Sequence, residues 1–141
     1  MATGWLIESD LLVTAGHCAY DWSHSYGRLT HVKAYIGYTG KDTTKDTEQV
    51  QLRMGVRVAT TEGWLTNGSS DSRGDVSFIR VSKPFTGITP FKYLATPSSG
   101  SNVRIGVVGY PGDLKKKGTG EKGAVSDRFQ WSPSLTILAD V

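Results

Sequence analysis

The chain has 141 residues, 38% of them hydrophobic, and carries a formal net charge of +3. A chain of this length buries enough surface for one globular domain. No run of about 18 apolar residues occurs, which excludes a transmembrane helix and argues against a membrane partner. The modest charge, with LKKKG at 114–118 as the only basic cluster, argues against nucleic-acid binding.

The composition predicts an all-β fold built from short strands. Glycine occurs 17 times, Thr, Ser and Val are frequent, and no long stretch has helical periodicity. The first two strands, GWLI (4–7) and LLVTA (11–15), are predicted to form a hairpin around a turn at 8–10. Further strands are predicted at HVKAYIGY (31–38), EQVQLRMGVRVATT (48–61, with a bulge at Gly55), DVSFIRV (75–81) and NVRIGVVGY (102–110), and weaker ones at GAVSDRF (123–129) and SLTILADV (134–141).

His17, at the end of LLVTAGHC, is a candidate general base. An imidazole serves as a base when one ring nitrogen faces a nucleophile and an acceptor, commonly a carboxylate, holds the other. Asp75 stands at the mouth of the strand VSFIRV and fits this role, whereas Asp71 lies inside a polar loop and is the weaker candidate. The residues alone leave a structural alternative open, because aspartates at strand ends often accept hydrogen bonds from backbone N–H groups.

Blocks of this sequence resemble a known family. They are TGWLI followed by LLVTAGHC, then GDVSFIRV, then VVGYPGD, and together they cover about residues 3–123. In this order they are similar to the chymotrypsin-fold serine proteases, and TGWLI and GYPGD are most similar to the glutamyl endopeptidase branch. The resemblance implies two β-barrels packed face to face, with a catalytic triad in the cleft between them. It also implies that His17 is the general base and that Asp75 orients it.

The family pattern requires a nucleophilic serine, and here the sequence departs from it. The oxyanion formed in acyl transfer needs backbone N–H donors from a glycine-rich turn, expected as Gly-x-Ser-Gly after VVGYPGD. The serines after that block are Ser126, Ser132 and Ser134, and none has a glycine beside it. SSGS (98–101) precedes the block and is predicted to be a flexible turn. The chain is therefore predicted to lack its nucleophile.

The resemblance divides the chain into three parts. Residues 1–82 are predicted to form a nearly complete first barrel, 83–101 a connector rich in Pro, Gly and Ser, and 102–141 a truncated second barrel. An incomplete barrel leaves strand edges and apolar side chains, such as those of Ile105 and Trp131, without partners. We therefore expect self-association through the incomplete second barrel, or marginal stability.

Cys18 is the only cysteine, so no disulfide can form within the chain. In the resembled family the cysteine after the histidine typically pairs with one just before TGW, where this chain has Ala2. Cys18 is a poor candidate nucleophile because its side chain diverges from that of the adjacent His17, and a buried free thiol is expected. The spacing of His17, His24 and His31 in a turn-rich segment does not suit a zinc site, so neither a metal nor a cofactor is predicted.

Two functions remain open. In the first, the chain is part of a secreted serine endopeptidase that hydrolyses peptide bonds and is inactive without a serine supplied beyond Val141. In the second, it is a non-catalytic homologue that binds a peptide or a protein. The partner is a polypeptide in both cases. The secreted location rests on the resemblance alone, because the start MATGWLIESD lacks the basic and apolar regions of a signal peptide.

Overall fold

The computed structural model describes residues 2–23, 26–38, 45, 48, 50–70, 72–94, 102–106, 109–110 and 134–138. Their regular structure is mostly β, as the sequence predicts. The strands are β1 (Trp5–Glu8), β2 (Leu11–Thr14), β3 (Tyr20–Asp21), β4 (Gly27–Arg28), β5 (Lys33–Ile36), β6 (Gln51–Thr60), β7 (Ser77–Val81), β8 (Asn102–Gly106) and β9 (Ser134–Leu138). One short helix, α1 (Glu62–Asn67), and 3₁₀ turns at Gly16–Cys18, Gly68–Ser70 and Ser72–Gly74 complete this set.

Five of the strands form one antiparallel sheet in the order β1-β2-β7-β6-β5. β1 and β2 form the predicted hairpin, and β7 lies at the centre, between β2 and β6. Side chains of β7 alternate between the two faces of the sheet, so Ile79 is buried while its neighbour Phe78 is exposed. The buried core cluster on the inner face consists of Leu6, Leu12, Ile79, Val81 and Phe85.

β6 is long and irregular at Gly55, where the sequence predicts a bulge. Its first residues pair with β5, and its register against β7 shifts between Gly55 and Arg57. A side chain at position 55 would collide with the core, because a Cβ there would lie 2.8 Å from the Cβ of Val32 and 3.2 Å from Cγ2 of Ile79. The bulge lets β6 bend from one partner strand to the next, which curls the sheet into a half-barrel.

The segment after β7 is fastened to β6 by the side chain of Gln51. The Gln51 amide donates from Nε2 to the Thr86 carbonyl at 2.7 Å, and its Oε1 accepts from the Thr86 N–H at 2.9 Å. Arg53, on the same strand, donates from Nε to the Pro84 carbonyl at 3.1 Å, and its guanidinium lies 5.1 Å from the centre of the Phe85 ring. These contacts hold Phe85 in the core.

Three short elements, β3, β4 and α1, are not predicted from the sequence. A two-residue strand or a six-residue helix carries too little periodicity to stand out from its surroundings. The cap of α1 follows the usual rule, however: Thr61 precedes the helix, and its Oγ1 accepts from the Trp64 N–H at 3.1 Å.

β8 and β9 form a separate antiparallel pair, in which Asn102 lies opposite Leu138. β9 falls within the weaker strand predicted at 134–141, whereas GAVSDRF and LKKKG lie outside the described residues. The backbone at Tyr110 meets the start of the chain, since its N–H donates to Thr3 Oγ1 at 2.7 Å. In the ranges described, no helix is long and apolar enough to cross a bilayer. The boundaries at residues 82 and 101 stay a prediction.

Candidate active site

β2 and β7 bring His17 and Asp75 to the same end of the sheet. Thr14, the last residue of β2, pairs with Ser77, the first residue of β7. The Ser77 side chain is fully buried and donates from Oγ to the Ala15 carbonyl at 3.0 Å. Antiparallel pairing therefore places the residues that follow Thr14 beside those that precede Ser77.

His17 lies on a 3₁₀ turn rather than at the end of the strand, where the sequence places it. β2 ends at Thr14, and the turn spans Gly16–Cys18. Gly16 is closely packed there, because a Cβ at this position would lie 3.0 Å from Oδ1 of Asp75. The turn thus keeps the backbone of the histidine segment in contact with the carboxylate.

Asp75 holds His17 by two hydrogen bonds, one to the backbone and one to the ring. The His17 N–H donates to Asp75 Oδ1 at 2.7 Å, and His17 Nδ1 lies 2.9 Å from Asp75 Oδ2. The side chain of His17 is 58% exposed and that of Asp75 is 25% exposed. A carboxylate at Nδ1 favours the tautomer with its proton on that nitrogen, which leaves the Nε2 lone pair available as a base.

The carboxyl of Asp75 is held in its ionised form. Partial burial raises its pKa, but the hydrogen bonds from the His17 ring, from the His17 backbone and from the Gly16 backbone together lower the pKa below the ordinary value. The structural alternative, in which Asp75 only accepts hydrogen bonds from backbone N–H groups, accounts for one of its two contacts with His17. Asp75 accepts from the backbone through Oδ1 and contacts the imidazole through Oδ2.

Most of the other candidate residues fall outside the described part of the chain. Asp71, His24, Ser126 and Ser132 lie outside the described residues, and Ser134 is described only by its place in β9. His31 Nδ1 lies 3.2 Å from Thr30 Oγ1. Within the described ranges, no group of three or more His, Cys, Asp or Glu side chains could hold a metal ion.

Cys18 is a free cysteine that is half-buried, so the expectation of a fully buried thiol is wrong. The 3₁₀ turn places Cys18 between the His17 backbone and β3 instead of continuing a buried strand. A second neighbour of the pair, Trp64, is not predicted from the sequence. The only signal for it is the capping Thr61 three residues earlier, which marks the start of α1.

The sequence profile of the family described as Trypsin matches residues 1–130. The chain belongs to the trypsin family. No curated protein sequence matches it. Among solved structures, this trypsin-family chain is similar to a Glu endopeptidase in complex with MPD, with a TM-score of 0.67 and 20% sequence identity. The match covers 98% of the chain and 57% of that structure's chain.

The structural similarity establishes the fold of this trypsin-family chain. The curled sheet of β1, β2, β5, β6 and β7 is the half-barrel of the chymotrypsin-like fold. The predicted fold class and the predicted relationship to chymotrypsin-fold serine proteases are thereby confirmed. The chain spans a little over half the length of the solved Glu endopeptidase chain.

The contribution of the Asp75 carboxylate to stability is expected to vanish in acid. Because the folded-state pKa of Asp75 is lowered, its ionised carboxylate stabilises the fold fully at pH values above the unfolded carboxyl pKa of about 3.9. This stabilisation is lost as the pH falls through the folded-state pKa. Thermal melts of the parent and of Asp75→Asn between neutral and strongly acid pH measure it. The parent is expected to be more stable near neutral pH, by on the order of 1 kcal/mol because the pair is partly exposed. A difference that stays constant down to strongly acid pH would contradict this expectation.

Proposed function

We propose that the chain provides the general base and its orienting carboxylate for a serine endopeptidase. The observation that carries this proposal is the two-point contact between Asp75 and His17, at 2.7 Å to the backbone N–H and 2.9 Å to the ring. The first bond fixes the position of the His17 backbone, and the second fixes the tautomer of its ring. A structural aspartate that only satisfied a turn would need the first bond and not the second.

In the proposed reaction, His17 Nε2 removes the proton from a serine hydroxyl as the serine oxygen bonds to the carbonyl carbon of the scissile peptide. The resulting imidazolium is stabilised by the Asp75 carboxylate. It then gives the proton to the nitrogen of the leaving amine as the peptide C–N bond breaks. In the second half of the reaction, His17 Nε2 removes a proton from water as the water oxygen attacks the acyl carbon. His17 then gives that proton to the serine oxygen as the bond between this oxygen and the acyl carbon breaks. Asp75 stays ionised throughout, in keeping with its lowered pKa.

The serine itself is proposed to come from residues beyond Val141. No Gly-x-Ser-Gly occurs in the 141 residues. A lone serine without neighbouring backbone donors would leave the oxyanion unstabilised, which costs about 10²–10³ in kcat for each missing donor. The 141-residue chain is therefore proposed to be inactive alone, and to hydrolyse polypeptides only together with the missing segment.

Secretion and membership of the glutamyl endopeptidase branch are also proposals. Their support is the TGWLI and GYPGD forms and the similarity in fold to a Glu endopeptidase. Specificity for an acidic residue at the cleaved bond is not assigned to any residue of this chain. The pocket that would select that residue belongs, in the resembled family, to the region around and after the serine.

Labelling with a fluorophosphonate probe tests the proposed catalytic role. We expect no adduct on the folded 141-residue chain, by mass spectrometry. The coding sequence after Val141 is expected to supply a Gly-x-Ser-Gly. A chain extended through that motif should take the label on its serine and cleave a peptide substrate, and His17→Ala in the extended chain should abolish both.

Two outcomes would contradict the proposal. Labelling of the 141-residue chain that depends on His17 would mean that Ser126, Ser132, Ser134 or another internal serine is the nucleophile. The lack of any Gly-x-Ser-Gly downstream would favour the alternative of a non-catalytic module, and binding of peptides to the 141-residue chain would then be the activity to measure.

We also propose that the isolated chain self-associates through its second half. β8 and β9 form a two-stranded sheet, and an isolated pair of strands is marginally stable in water. Size-exclusion chromatography with light scattering is expected to give a mass above that of the 15.3 kDa monomer. A monomer that unfolds in one sharp thermal transition would contradict this prediction. The side chains of Ile105 and Trp131, which are predicted to lack apolar partners, lie outside the described part of the chain.

A further inference from the structure

Trp64 packs against the His17–Asp75 pair from the side of α1. It is a large buried side chain, with only 4% of its surface exposed. Its ring centre lies 6.5 Å from that of His17, and the two rings meet edge to face at 60°. The same indole bounds the space around Gly16, since a Cβ at that glycine would be 3.1 Å from Trp64 Cγ and 3.0 Å from Asp75 Oδ1. Indole and carboxylate therefore both lie against the glycine that precedes His17, and a methyl group there would be tightly packed between them.

The indole is held in place by the segment that carries the histidine. Trp64 Nε1 donates to the carbonyl of Tyr20 at 2.9 Å. Tyr20 is the first residue of β3, and one residue separates it from the turn that bears His17. In return, Trp22 Nε1 donates to the Trp64 carbonyl at 3.0 Å. This reciprocal pair of hydrogen bonds ties α1 to β3 and to the residue that follows it, so the indole cannot shift without moving the backbone close to the histidine.

The backbone of Trp64 is also tied to the segment that carries the aspartate. The Trp64 N–H donates to Thr61 Oγ1 at 3.1 Å, and the same hydroxyl donates to the carbonyl of Gly74 at 2.6 Å. Gly74 directly precedes Asp75. A Cβ at Gly74 would lie 2.9 Å from Thr61 Oγ1 and 3.0 Å from the Trp64 nitrogen, which shows how closely these groups are packed. Trp64 thus connects both halves of the pair.

We infer that Trp64 is a positioning residue for the proposed general base: it packs edge-on against the His17 ring, limits the rotation of that ring and so keeps Nδ1 against Asp75 Oδ2. The inference rests on the proposed function, because it assigns Trp64 a role in the same His–Asp pair. Two physical effects support it. An aromatic edge beside the imidazole restricts its χ2 rotation. A ring held in one orientation breaks its hydrogen bond to the carboxylate less often.

Proton exchange at His17 Nδ1 tests this role without requiring any turnover. The low-field imidazole proton of the 141-residue chain is followed by NMR in the parent, Trp64→Phe, Trp64→Leu and Trp22→Phe. We expect exchange with water to rise at least about tenfold in Trp64→Leu, which removes the ring, and less than about threefold in Trp64→Phe, which keeps one. Trp22→Phe is the matched control, since it removes a hydrogen bond to α1 without removing the ring beside His17. Its exchange should change less than about twofold.

A second measurement on the unsubstituted chain covers the case in which Trp64→Leu fails to fold. Nuclear Overhauser effects are expected between the ring protons of Trp64 and those of His17, and their absence would overturn the inference. So would equal exchange rates in a folded Trp64→Leu and the parent.

Asp75→Asn separates this result from the proposed function. If Asp75→Asn removes the Nδ1 signal while Trp64→Leu leaves it unchanged, only the role of Trp64 is wrong. If Asp75→Asn leaves the signal unchanged, the His–Asp pair itself is wrong.

Discussion

Asp75→Asn is expected to lower kcat by about 10⁴-fold in the proposed protease, in which the chain is extended to carry its serine. The reason is the tautomer of His17 rather than its position. An asparagine side chain can keep the 2.7 Å bond from the His17 backbone through its carbonyl oxygen, but it then presents an N–H to Nδ1, where the carboxylate offered Oδ2. The imidazole responds by moving its proton to Nε2, the atom proposed to accept the proton of the serine. The substituted protein should therefore fold, bind substrate and fail in the proton transfer.

Asp10→Asn is the matched control for this substitution. The Asp10 side chain is as exposed as that of Asp75, at 25%, and is also paired with a basic partner, Arg80, at 2.6 Å. It lies at the turn between β1 and β2, away from His17. Steady-state kinetics on a peptide substrate should give a kcat within about threefold of the parent for Asp10→Asn, as for other substitutions outside such a site. Similar losses in the two variants would show that any loss of an ion pair, and not the tautomer, lowers kcat.

Ile79→Ala is expected to have the largest effect on stability, with a loss of about 2–5 kcal/mol in the free energy of unfolding. Ile79 is 4% exposed and lies on the central strand, opposite Leu12 on β2 and Val58 on β6. Deleting its side chain removes contacts to both neighbouring strands at once. The surrounding backbone is fixed by hydrogen bonds on both sides of β7, so the cavity cannot close by a movement of the strand.

Phe78→Ala, one residue earlier, provides the comparison within the same strand. Phe78 faces outward with 38% of its surface exposed. Its truncation should cost about 1 kcal/mol or less, although phenylalanine is the larger residue. Urea denaturation of both variants at neutral pH, followed by tryptophan fluorescence, measures the difference. A larger loss for Phe78→Ala than for Ile79→Ala would mean that a partner covers the outer face of the sheet and that the inner cluster is not the main core.

The five-stranded sheet could be predicted because its strands carry strong alternation. The hairpin of β1 and β2, the long β6 with its irregularity at Gly55, and β7 all follow from the spacing of apolar residues. The 3₁₀ turn at His17 could not be predicted in this way. Its geometry depends on the hydrogen bond from Ser77 and on close packing around Gly16, and both involve residues about 60 positions away along the chain.

The site was predictable to the extent that it is built from strand ends. His17 and Asp75 are candidates because each adjoins a strong strand, the family resemblance implies their roles, and the structure places them in contact. Trp64 is not predicted from the sequence, because it lies on a six-residue helix and its own burial comes from tertiary contacts to Tyr20 and Trp22. For the nucleophile, the sequence shows only that the Gly-x-Ser-Gly motif is missing, because such a glycine-rich turn can be recognised from the residues alone.

The contacts of Gln51 limit which amino acids can replace it during evolution. From the sequence it is an ordinary polar residue on a strand, of the kind that is usually replaced without effect. Its amide, however, exchanges two hydrogen bonds with the backbone of Thr86, as a neighbouring strand would do. Asparagine is one methylene too short to make both bonds, and glutamate loses the donor that reaches the Thr86 carbonyl. Glutamine is therefore the side chain that fits this position, and it shares the join between the five-stranded sheet and the segment after β7 with the contacts of Arg53 to Pro84 and Phe85.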